Sequence, residues 1–171
     1  MRAMIAIAVG LVAAVLGYGW WHVQTHATFH MSLTERTPPA RYGQVRNAQL
    51  AFLDANGNEL AQGITDSKFG VVWVKHPKAG YCGPDLAQPA YRICFDQHAT
   101  WLHSWVPQVR QVSLIAGTCR LERAPLRFSA YRDSAWTWWV PLRHIGGTPY
   151  TNYSTDLQVD TKACAVTGHR G

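Results

Sequence analysis

Residues 47–75 read NAQLAFLDANGNELAQGITDSKFGVVWVK, and their alternation of short apolar runs with turn residues decides the fold class. Asn47 to Leu53 is a short apolar-rich run, followed by Asp54-Ala55-Asn56-Gly57-Asn58. Asn-Gly supplies the positive backbone angles that a tight hairpin needs. Glu59 to Ile64 returns, Thr65 to Gly70 turns again, and Val71 to Lys75 is a third strand. β-Branched and aromatic residues dominate that strand, as a pleated surface prefers. The chain opens here as a meander.

Working outward, further strands are expected at Tyr91 to Phe95, Val109 to Ala116, Leu126 to Arg132, Ala135 to Val140 and Tyr153 to Asp160. Gly and Pro punctuate the gaps, and no sustained 3.6-residue stripe appears in this part of the chain. Asp96 to Trp105 reads as a short helix, capped by Asp96 and stopped before Pro107. Within Val45 to Tyr81, the stretches Asp54 to Asn58, Gly63-Ile64-Thr65-Asp66, Gly70 and Pro77 to Tyr81 resemble the opening strands of transthyretin-like and carboxypeptidase-regulatory-like β-sandwich modules. The resemblance covers about 37 residues and stops at Tyr81, where a Cys82–Cys94 loop intervenes. It implies a sandwich used for binding or adhesion, and it brings no active site. Repeated short strands with turn signals predict a mainly β domain, an antiparallel β-sandwich of Ig-like or transthyretin-like kind.

The other end of the sequence has a different character. Arg2 precedes Ala3 to Trp21, a run of 19 residues without a charge. As a helix it would rise about 28 Å, close to the hydrocarbon thickness of a bilayer. Trp20-Trp21 would sit in the outer aromatic belt, with Arg2 holding the N-terminus inside. A retained transmembrane anchor over 1–21 is therefore expected, displaying the domain in the periplasm or extracellular space. The rival is a cleaved signal peptide with Ile5 to Gly17 as its apolar region; the best small-residue site, Thr25-His26-Ala27, lies far downstream. Residues 22–45, with Thr37-Pro38-Pro39, read as a stiff tether. The domain proper is placed at 46–171.

Composition narrows the partners. The 171 residues carry a net charge of +6, or +5 with Arg2 set aside, and 12% are aromatic, with eight tryptophans. Such a chain can bury a core, unlike a disordered one. A modest positive charge favours anionic surfaces. No basic run interleaved with aromatics argues for nucleic acid. The four cysteines, Cys82, Cys94, Cys119 and Cys164, are even in number and follow the targeting segment, as two disulfides would require. Three pairings exist; Cys82–Cys94 and Cys119–Cys164 are preferred, one bracketing a Gly-Pro-rich loop and the other joining late strands. Their spacing fits no common zinc site.

Chemical motifs are few. There is no GxSxG, HExxH, phosphate loop or GxGxxG, and the three glutamates, Glu35, Glu59 and Glu122, are scattered. Asp96, His98 and His103 near Ser104 could supply a catalytic arrangement, the basis of an alternative reading as an envelope-acting hydrolase. His22, His26 and His30 at i, i+4 and i+8 would share one face if the helix continued, the basis of a metal-handling alternative. Asn152-Tyr153-Ser154 matches a glycosylation acceptor. The aromatic stretch Trp136 to Val140 and the loop Gly146 to Tyr153 suggest a recognition surface on Trp139, Tyr150, Asn152 and Tyr153, since rigid aromatics on loops are frequent hot spots. The expectation is a membrane-anchored binding module with no cofactor, whose partner is an envelope or secreted protein, in the manner of an inhibitor or immunity protein.

Overall fold

The computed structural model describes residues 2–25, 27–37, 41–66, 70–78, 80–82, 99–132 and 151–170. Helix α1 (Arg2–Thr25) comes first, then strands β1 (Ala27–Thr37), β2 (Arg41–Gln44), β3 (Gln49–Leu53), β4 (Glu59–Thr65), β5 (Val72–His76) and β6 (Gly80–Cys82). Helix α2 (Ala99–Trp105) runs into a 3-10 turn, Val106–Gln108, which carries Pro107. The remaining strands are β7 (Gln111–Ala116), β8 (Cys119–Pro125), β9 (Ser129–Arg132), β10 (Thr151–Asp160) and β11 (Ala165–Arg170).

The strands form two sheets. One has the order β6-β5-β4-β3-β7-β8 and is antiparallel throughout. The segment 47–75 supplies its β3-β4-β5 meander. Asp54 closes the first hairpin: its Oδ1 accepts from the backbone N–H of Asn56 and Asn58, each at 2.8 Å, and Gly57 sits at φ +88°. The other sheet has the order β11-β10-β1-β2, with β9 pairing the first half of β10.

Two corrections arise in this second sheet. Residues 27–37, expected within the tether, form β1, a strand inside the sheet. Ala27, Phe29, Met31 and Leu33 alternate with Thr28, His30, Ser32 and Thr34, and a period of two puts all four apolar side chains on one buried face. The second correction concerns direction. β1 pairs β10 in parallel, so the sandwich is not wholly antiparallel. The paired residues lie 124 positions apart. The whole of the other sheet serves as the crossover that a parallel pair requires.

One apolar core lies between the sheets. Phe29, Met31, Leu33, Tyr153, Leu157 and Val159 meet Phe52, Val72, Val74 and Leu114 across it, with Leu102 and Trp105 of α2 closing one end. The Phe29 and Phe52 rings cross edge to face at 6.1 Å. At the opposite end Cys119, opening β8, is bonded to Cys164, just past β10, with Cα atoms 5.1 Å apart. This expected disulfide therefore staples sheet to sheet. Cys94, and with it the Cys82–Cys94 pairing, lies outside the described residues, as do the strands expected at 91–95 and 135–140 and the cap at Asp96.

The described side chains of α1 include exposed Ile5, Ile7, Val9, Leu11, Trp20 and Trp21. Among the described residues no helix is long and apolar enough to cross a membrane. Only His26 separates Thr25 at the end of α1 from Ala27 at the start of β1.

Candidate functional site

The alternation that buries half of β1 and β10 presents the other half outward, and parallel register lines these residues up in rows. Thr28 stands beside Asn152, His30 beside Ser154, Ser32 beside Asp156 and Thr34 beside Gln158. β9 and β11 extend the rows: Tyr131 faces Asn152, Ser129 faces Ser154, and Arg170 faces Asp156. The outer face of the sheet thus gathers hydroxyls and amides with the His30 imidazole, the Asp156 carboxylate and the guanidiniums of Arg36 and Arg170. Tyr131 stands at one end with 60% of its surface exposed.

Hydrogen bonds between strands fix several of these groups. Thr28 Oγ1 donates to Asn152 Oδ1 at 2.9 Å, Ser32 Oγ donates to Asp156 Oδ1, and Arg36 Nη1 reaches Gln158 Oε1 at 3.3 Å. Cross-strand pairs of this sort hold the register and restrict the rotamers a partner would otherwise have to freeze. Among them lies a depression of about 280 Å³, lined by His30, Ser129, Ser154, Asp156 and Arg170.

The face carries a serine, a histidine and an aspartate, yet they are not linked as nucleophile, base and orienting acid. Asp156 accepts from Ser32, and among the described residues no hydrogen bond joins His30 to Ser154 or Asp156. What the arrangement does chemically is present fixed donors and acceptors of both charge signs to a polar partner.

The sequence-predicted residues fall in different places. Asn152 is on this face. Tyr153 is not a surface residue: strand β10 starts at Thr151, so Tyr153 points inward with Thr155 and Leu157 and is 5% exposed. Its hydroxyl lies 2.7 Å from His103 Nδ1. Trp139 and Tyr150 lie outside the described residues. His103 is thus engaged with the core side of β10, while Ser104 Oγ donates to the Trp101 carbonyl at 2.7 Å, within the helix. These two do not form a catalytic pair; Asp96 and His98 lie outside the described residues. The shared helix face for His22, His26 and His30 does not form either, because α1 ends at Thr25 and His30 is on β1. Among the described residues no three potential ligands are grouped to hold a metal.

Ser154, Asp156, Arg170 and Tyr131 were missed as site residues, and His30 was named only as a metal-ligand candidate. The signal for His30, Ser154 and Asp156 was the period of two in 27–35 and 151–159, which marks an outward polar face; which strands would sit side by side, and hence Tyr131 and Arg170, was not in it.

The architecture and this face define a class: a two-sheet β-sandwich with a polar, charge-bearing outer face and no assembled catalytic group among the described residues. No family model, curated protein or solved structure matches the chain.

Proposed function

We propose that the chain is a membrane-anchored binding module that works outside the cytoplasm and recognises an envelope or secreted protein through the outer face of the β1–β10 sheet. The observation that carries the reading is the in-register array of His30, Ser154, Asp156 and Arg170 around one depression. Both charge signs within a single patch suit a partner with complementary charges, and such matching gives specificity.

Although no helix among the described residues is long and apolar enough to cross a membrane, the 19 uncharged residues from Ala3 to Trp21 support anchoring, and the exposed apolar side chains of α1 suit a lipid surface. An oxidising compartment is supported by the Cys119–Cys164 bond. The likeness to transthyretin-like modules is confined to the β3–β6 meander and supports a binding role in the same sense.

Site-specific photo-crosslinking tests it. A photoreactive residue at His30 or Tyr131 should give discrete adducts in intact membranes, and Asp156→Ala with Arg170→Ala should abolish them. The same adducts from Gln62, an exposed residue of β4 in the other sheet, would sink the assignment. Alkaline carbonate extraction should leave the protein in the membrane pellet; its release into the supernatant would remove the anchor.

A further inference from the structure

A second concavity lies away from the polar face, between the 3-10 turn leading to β7 and the strand β9. It measures about 440 Å³; Pro107, Phe128 and Ala130 supply its accessible apolar wall, with Val106 and Val109 buried behind, while Arg110 and Arg127 supply charge. That volume falls within the ~300–1,000 Å³ typical of small-molecule sites.

The wall is rigid where it is apolar. Val106 and Val109 are almost fully buried, and the Phe128 ring stacks 5.1 Å from Phe29 in the core. The charge is held in place as well. Arg110 Nη1 donates to the carbonyls of Pro107 and Val109 at 2.8 and 2.7 Å, which fixes the guanidinium plane. Its carbonyl accepts from Leu126 N–H at 2.9 Å, tying the Arg110 backbone to the segment that carries Arg127. Among the described residues no carboxylate lines the cleft. Two guanidiniums beside an apolar wall are complementary to an anion joined to a hydrocarbon. Guanidinium matches carboxylate and phosphate geometry through paired N–H donors, and the hydrocarbon gains by leaving water.

We propose that this cleft binds a single-chain anionic amphiphile, its chain against Pro107, Phe128 and Ala130 and its headgroup on Arg110 and Arg127. Charge complementarity selects this occupant over a neutral one. The cleft is separate from the polar face, so the proposal stands or falls apart from the function proposed above.

The test uses the full chain in neutral maltoside micelles with a diazirine-bearing long-chain fatty acid as probe. Irradiation followed by peptide mapping should place adducts on segments 106–110 and 127–130. Oleate should compete at least tenfold better than oleyl alcohol at equal concentration. Arg110→Glu with Arg127→Glu should reduce labelling at least tenfold. So should Ala130→Trp, which fills the cleft from an exposed position and leaves the melting temperature unchanged. Adducts confined to α1, equal competition by the alcohol, or cleft labelling that survives Ala130→Trp would overturn the proposal.

Discussion

Replacing Phe29 by alanine separates a core strand from a tether more sharply than any other single change. If residues 27–37 were a linker, truncating an aromatic there would cost almost nothing. In the structure Phe29 is 4% exposed, and its ring lies 6.1 Å from Phe52, 5.8 Å from Trp105 and 5.1 Å from Phe128. Buried Phe→Ala changes cost about 3–5 kcal/mol, combining lost transfer energy with the cavity left behind. The density of ring contacts here places the expected cost at about 4 kcal/mol, since aromatic pairs add to area burial. With a urea slope of about 2 kcal/mol per molar for a domain of this size, the unfolding midpoint should drop by about 2 M. The assay is urea unfolding of the full chain in neutral detergent, followed by tryptophan fluorescence. Thr28→Ala and His30→Ala, on the outward face of the same strand, should stay within about 0.5 kcal/mol of the parent. A Phe29→Ala shift below about 0.3 M, or one matched by His30→Ala, would refute β1 as a buried strand.

Three further outcomes are expected. Replacing Cys119 and Cys164 by serine should cost about 4 kcal/mol in the chain-entropy account, given their separation of 45 residues, and should appear as a lower urea midpoint. Gly70 sits at φ +65° with space for a Cβ only 2.8 Å from the Leu33 carbonyl oxygen, so Gly70→Ala should destabilise by more than about 1 kcal/mol; an unchanged melting temperature would deny that close approach. The Asn58 side chain, followed by the Asn58 backbone N–H, holds the Asp54 carboxyl below its ordinary 3.8. A lowered carboxyl pKa means the contribution is present above 3.8 and lost as pH falls through the lowered value, so an NMR titration of Asp54 should show a midpoint below 3.8 that rises in Asn58→Ala.

How far the sequence reached depended on how local each determinant was. The hairpin at Asp54 to Asn58 was legible because Asp, Asn and Gly build that turn from their own backbone and side-chain bonds. The strands flanking it, β7 and β10 were legible from their apolar runs, and the short helix before Pro107 from its breaker. The Cys119–Cys164 pairing was preferred on chain position and is formed. β1 shows the same alternation, but Pro38-Pro39 and nearness to the apolar helix drew it into a tether. Short polar strands such as β2, β6 and β11 carry too little pattern to stand out.

By itself, then, the sequence determined the β class, the meander at 47–75 and the distinction between an apolar N-terminal helix and a stapled domain. Each of these rests on neighbours along the chain. Only the tertiary structure decided that β1 and β10 lie side by side in parallel, that Tyr153 turns inward to His103, and that Asn152, His30, Asp156 and Arg170 share one face. Partners 124 residues apart are chosen by burial of the apolar faces they have in common, and no local pattern names the strand on the other side.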